Sequence, residues 1–149
     1  MGEIKGLREL GENLRMLGDE VGSKIARQAT GRAARLMKDE EVRLAPEAPE
    51  DYVVEGTKVP KGNVKKQIVV KRVKSNDTKL TSEHLVTVRG KKRYGYASRV
   101  LSIYEFGSVK QPARPVVRRA WDGKKQDAAD EIAATLRRGI ANAVKKAKK

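Results

Sequence analysis

The sequence predicts an α+β fold: a long N-terminal helix, an antiparallel sheet of about three to four strands, and a C-terminal helix packed on one face of the sheet. Three observations carry this prediction. Apolar residues recur at three- and four-residue steps towards both ends of the chain. The middle is instead rich in β-branched residues that alternate between two faces. The connections between the strand candidates are short, which favours antiparallel neighbours. A chain of 149 residues suits one domain, 1–149.

The N-terminal stripe runs through Ile4, Leu7, Leu10, Leu14, Leu17, Val21, Ile25, Ala29, Ala33 and Leu36. Gly18 followed by Asp19 reads as a break with a cap, so we expect a short first helix and a long second one from about 19 to 44. Pro46 and Pro49 cannot continue it. Residues 45–63 read as a long, mobile loop, within which DYVVEGT has the makings of a short strand. Residues 64–74, 84–89 and 99–106 are the strand candidates. SNDTKLTSE forms a turn-rich connection after the first, and GKKRYGYAS a basic loop after the second. Pro112 and Pro115 then mark a turn and a helix start. Asp122-Gly123 is a point where that helix kinks or restarts. Ala128, Ile132, Leu136, Ile140, Ala143 and Val144 form the stripe of a helix over 124–147, with acids early and bases late as the helix dipole prefers. The basic end, 145–149, is expected to fray.

Composition narrows the chemistry. Aromatics are only 4% of residues, so the core is aliphatic and lean, as in a chain that buries more surface on assembly. No apolar run approaches the ~18 residues that span a bilayer, the first residues carry no signal-like apolar region, and there is no cysteine. A soluble, intracellular protein without disulfides or thiolate metal sites is the expectation. The net charge of +15 is unevenly spread. Residues 1–60 carry 10 Lys/Arg against 12 Asp/Glu, a net −2. Residues 61–99 carry 12 against 2, and residues 108–149 carry 12 against 4, a net +10 and +8. A polyanion near the second part explains this pattern, as does a solvated surface facing acidic neighbours.

Catalytic constellations are missing. His84 is the single histidine and sits at a strand start, which suits a solvated or hydrogen-bonded role. RGKKRY lacks the spacing of a phosphate loop, and the acids Glu47, Glu50, Asp51 and Glu55 share one loop. We expect no enzyme, no metal and no cofactor. Lys65, Lys66, Lys71, Arg72 and Lys74, with Lys91, Lys92 and Arg93 beside Tyr94 and Tyr96, are the candidates for facing DNA. Phosphate contact asks for charge and little geometry, so such binding is sequence-blind and salt-sensitive. For the two tyrosines, packing is the favoured role over base stacking.

A set of motifs runs in order along the chain. Gly6-Leu7-Arg8-Glu9-Leu10 leads on to Leu14 and Leu17, a long helix ends in Ala45-Pro46, and Gly62-Asn63-Val64 precedes Ile68. Tyr104-Glu105-Phe106-Gly107-Ser108 is followed by Arg114-Pro115-Val116-Val117-Arg118-Arg119-Ala120 and an amphipathic helix. In this the chain resembles the "gene product ten" family of tail components from long-tailed bacteriophages of the lambda morphology, which are tail-completion or head–tail joining proteins. Val116 stands where that pattern commonly has an aromatic. The resemblance implies a non-enzymatic virion protein of the neck, made in the host cytoplasm. It implies a homo-oligomeric ring, with a hexamer as one option, that touches the tail terminator, tail tube and head connector. DNA would pass through its lumen in transient, nonspecific contact, with no membrane involved. The competing reading is a stand-alone, sequence-nonspecific nucleic-acid binder; a weaker third is a small regulatory protein or inhibitor that acts through protein contacts.

Glu105, Phe106, Gly107, Arg114, Pro115, Arg118 and Arg119 are the motif's candidate interface or structural residues. Read as a strand, the segment puts Glu105 on the side of Leu101 and Ile103, where a charge needs a partner. Arg114, Arg118 and Arg119 are the available ones. Gly107 permits a positive-φ turn. Whether the carboxylate closes a contact between subunits or caps a helix within one stays open at this point.

Overall fold

Gly18, at φ +83°, interrupts the N-terminal helical pattern where the sequence places the break. On either side lie α1 (Leu7–Met16) and α2 (Asp19–Leu44). The structure is a computed structural model, and it describes residues 6–73 and 82–147. Its remaining elements are β1 (Tyr52–Val54), β2 (Thr57–Val59), α3 (Asn63–Gln67), β3 (Ile68–Val73), β4 (Glu83–Val88), a 3-10 turn over Lys92–Tyr94, α4 (Ala97–Phe106) and α5 (Val117–Ala147). The fold is α+β. The strands form two two-stranded sheets, β1 with β2 and β3 with β4, instead of one sheet of three or four.

The structure departs from the sequence expectation in several places. Residues 99–106 are helix, not strand. Ala97, Leu101 and Glu105 are buried at four-residue steps, and Val100 and Tyr104 pack beside them. A short apolar run suits either period, and here burial of the helical stripe decides. Residues 64–67 belong to α3, so the first strand begins only at Ile68. Within the segment 45–63, expected as a long loop, the stretch DYVVEGT does form a strand, and it pairs in the β1–β2 hairpin in register Tyr52↔Val59, Val53↔Lys58 and Val54↔Thr57. The hairpin turns at Glu55 and Gly56, both at positive φ, and is anchored by Val59, which is 1% exposed. At the C-terminal end the helix expected to start at Pro115 and the one expected over 124–147 are a single helix: α5 begins at Val117 and passes through Asp122-Gly123 without a break. It ends at Ala147, where the stripe over 124–147 places its end; Lys148 and Lys149 lie outside the described residues.

The chain divides into two compact units, neither of them a continuous stretch. The first comprises residues 1–35, 72–85 and 126–149. Its core joins Leu10 and Leu14 of α1, Ile25 and Ala29 of α2, and Ala133 and Leu136 of α5. Gly139 brings α5 close to α2, for a Cβ there would lie 2.5 Å from Ile25 Cγ2. The second unit comprises residues 36–71 and 86–125. Its core gathers Ala45, Val64, Ile68, Ala97, Leu101 and Val116. The long motif from Tyr104 to Ala120 lies wholly within this second unit.

Candidate functional site

The motif is a joint between two helices. α4 ends at Phe106, and Gly107 N donates to Ile103 O at 2.8 Å. Gly107 holds φ +80° and ψ −179°, a region essentially closed to residues with a Cβ. The chain then reverses through a small turn in which Ser108 N donates to Gln111 O at 2.9 Å. Arg114 N returns to donate to Tyr104 O at 2.7 Å. Pro115 follows, and α5 begins two residues later. Val116 and Ala120, four apart, point into the core, while Val117, Arg118, Arg119 and Trp121 are exposed.

Glu105 locks this joint. The helix places it on the face of Leu101, so it is buried at 6% exposure. Its Oε2 accepts from Val116 N at 2.7 Å and Val117 N at 2.8 Å. Its Oε1 accepts from Arg118 N at 3.2 Å and from Arg118 Nε at 3.0 Å. Arg118 Nη2 in turn donates to Glu105 O at 3.0 Å. The carboxylate therefore satisfies three of the backbone N–H groups that the start of α5 would leave orphaned, at the end of the helix where negative charge is favoured. Burial pushes its pKa up, but the Arg118 guanidinium and the three backbone N–H groups outweigh it, and the carboxyl ends below its ordinary value of 4.5. Of the three arginines, Arg118 meets Glu105. Arg114 contributes its backbone, and its side chain, like that of Arg119, is exposed. Phe106 is also exposed, with the Arg118 guanidinium 5.8 Å from its ring centroid.

A second carboxyl stands nearby that the sequence reading passed over. Glu41 on α2 is 6% exposed, and its pKa is pushed up to about 7, first by burial and then by the charge of Glu105. The signal was present in the spacing. Ala29, Ala33, Met37, Glu41 and Ala45 lie at four-residue steps and are all buried, so Glu41 sits on the apolar stripe.

The DNA-facing candidates are unequal. Lys65 is spent on Glu47, with Nζ 2.7 Å from Oε2. Lys92 lies 3.7 Å from Glu55. Arg93 stacks over Tyr94 at 4.7 Å, and Arg89 lies 5.4 Å from the same ring. Lys66, Lys71, Arg72 and Lys91 are exposed, and Lys74 lies outside the described residues. Tyr94 is thus occupied by two guanidinium groups, and the Tyr96 hydroxyl donates to Glu55 at 2.9 Å. His84 Nδ1 lies 3.0 Å from Thr30 Oγ1, itself 2.9 Å from Ser82 Oγ. Burial, helped by the charges of Arg72 and Arg35, lowers its pKa. Among the described residues no three His, Asp or Glu side chains are grouped to hold a metal.

No protein-family model, curated protein or solved structure matches the chain. The joint's polar groups are consumed in holding α4 to α5. What the stretch leaves exposed are the side chains of Phe106, Val109, Val117 and Trp121, together with Lys110, Arg114, Arg118 and Arg119.

Proposed function

We propose that the chain is a structural virion protein of a phage neck, acting in tail completion or head–tail joining, with copies arranged as a ring around the DNA channel. One observation carries this reading. The motif through which the sequence resembles that family has its carboxylate, its turn glycine and one arginine committed to a helix–helix joint, which is an architectural use of each. Exposed Lys66, Lys71 and Lys91 suit transient, sequence-blind contact with passing duplex DNA. The ring's other neighbours in this reading are the tail terminator, tail tube and head connector. The test is deletion of the coding sequence from the phage genome that carries it. Filled heads and free tails should accumulate unjoined, and added purified protein should restore infectious particles. Normal particles without the protein would sink the proposal. The same exposed lysines favour, as the second reading, a stand-alone DNA binder. That reading wins if the purified protein is a monomer that still holds duplex DNA tightly at about 0.2 M salt, where a weak phosphate contact is largely lost.

A further inference from the structure

In the first unit, α2, β3 and β4 bring cationic side chains together around Gly31. A glycine in the middle of a helix is destabilising relative to alanine, and here it leaves room for a ring. A Cβ at Gly31 would lie 3.2 Å from His84 Nε2 and 3.8 Å from Arg35 Nη2. Guanidinium and imidazole are thus no farther apart than those two distances together. Arg72, on β3, is the second guanidinium whose charge reaches the ring. Both arginines are exposed, and His84 is half-buried. Neither arginine has a carboxylate partner among the described residues, whereas Arg32 on the same helix lies 3.5 Å from Glu131. Glu83, next to His84, is exposed on the opposite face of β4.

The ring is held by its other nitrogen. Thr30 Oγ1 donates its one proton to Ala26 O at 3.0 Å. Towards His84 Nδ1 at 3.0 Å and Ser82 Oγ at 2.9 Å it can then only accept. Nδ1 therefore carries a hydrogen, and Nε2, the nitrogen beside Gly31, is the one that gains a proton when the ring becomes charged. Burial and the two guanidinium charges oppose that proton. An anion among the three groups would favour it and would relieve the repulsion between like charges. The three groups stand on three separate elements. A phosphoryl group, with oxygens pointing apart, can meet all of them, and the guanidinium fork matches it. A carboxylate has two oxygens in one plane.

We propose that Arg35, Arg72 and Nε2 of a protonated His84 form a binding site for a phosphoryl group, with Thr30 fixing the ring. Binding takes up a proton from solvent at Nε2, which then donates to a phosphate oxygen; no covalent bond is made. A nucleic-acid backbone and free phosphate present the same chemistry. The site goes beyond the neck reading, since it needs only the anion.

His84 is the single histidine, so its ring protons give the only imidazole signals in a proton NMR spectrum. Chloride is replaced by inorganic phosphate at constant ionic strength. The midpoint of the His84 titration should move to higher pH. At fixed pH the signals should shift along a saturating curve with a Kd in the mM range, as a few exposed charge-assisted hydrogen bonds allow. Arg35→Gln and Arg72→Gln should each weaken that binding about tenfold. Lys145→Gln, which takes the same charge from the end of α5, should leave it within about twofold. Unchanged melting of the arginine variants shows that the loss is not unfolding. A short duplex of mixed sequence is the second probe. If it moves the His84 signals well below the phosphate midpoint, and Arg35→Gln removes the movement, the source is the nucleic-acid backbone. Movement with phosphate and not with duplex assigns the site to free phosphate or a phosphate monoester. No movement with either probe beyond that in chloride, or movement unchanged in both arginine variants, overturns the proposal. If the His84 signals respond but heads and tails join without the protein, the neck reading fails and this site stands; the reverse pattern leaves the neck reading intact.

Discussion

Glu105→Gln tests whether the joint is held by the carboxylate as a cap. The wild-type side chain accepts three backbone N–H groups at 2.7, 2.8 and 3.2 Å. Glutamine keeps one acceptor oxygen and turns an NH2 group towards backbone donors. Loss of a cap costs about 0.5–2 kcal/mol, and leaving a buried N–H such as that of Val116 unpaired costs about 1–3 kcal/mol. We expect destabilisation of about 2–3 kcal/mol for Glu105→Gln and about 3–5 kcal/mol for Glu105→Ala, which removes every acceptor. The Arg118 side chain is 63% exposed, so Arg118→Ala should cost about 1 kcal/mol or less. The assay is urea denaturation followed by circular dichroism and by Trp121, the single tryptophan, which lies near the start of α5. Because the folded carboxyl sits below its ordinary value of 4.5, its contribution is complete above that pH and is lost as pH falls through the folded value. Glu105→Gln should remove that acid limb. Either of two results refutes the reasoning: Glu105→Gln within about 0.5 kcal/mol of wild type, or Arg118→Ala as costly as Glu105→Ala.

Glu41→Gln should act in the opposite direction. With its folded pKa up at about 7, Glu41 binds a proton in the folded state that the unfolded chain has released, so stability falls as pH rises from about 4.5 to about 7; by the linkage relation this is on the order of 3 kcal/mol. Glutamine should flatten that limb and raise urea midpoints at pH 8, and Glu105→Gln should move the limb to lower pH by removing the neighbouring charge. Gly107→Ala forces a Cβ to within 2.9 Å of Ala113 N in a region of φ and ψ that Ala avoids; a loss of about 3 kcal/mol in the same denaturation assay is expected. For DNA contact, Lys91→Ala should reduce the slope of log K against log salt by up to about 1, whereas Lys65→Ala, whose ammonium is already spent on Glu47, should change it little.

The helices at both ends were legible because they are long and periodic; the break at Gly18 and the end of α2 at Leu44 follow from a glycine and two prolines. Residues 99–106 were not, because Arg99, Leu101, Ile103 and Glu105 alternate as well as Ala97, Leu101 and Glu105 recur. Only the burial of the second set separates the two. That error put Ile103 beside Glu105, while the helix puts Leu101 there. The arginine partner was legible as one of three, and the choice of Arg118 depends on α5 beginning at Val117, which puts the Arg118 N–H in its first turn.

A joint that closes within one chain changes what assembly has to supply. Glu105 has its donors before any neighbour arrives, so a partner need not repair a buried charge. What the joint leaves exposed are apolar side chains, Val109 and Phe106. Burying one such side chain is worth about 1.5–3 kcal/mol, while association costs about 4–15 kcal/mol in lost freedom. Burial of one such side chain is therefore too little to hold two copies together, far from the ~800 Å² per partner of a stable complex. Copies held only this way stay apart when dilute and join when something else aligns them. On the neck reading the end of a growing tail is that template, so rings do not form away from it.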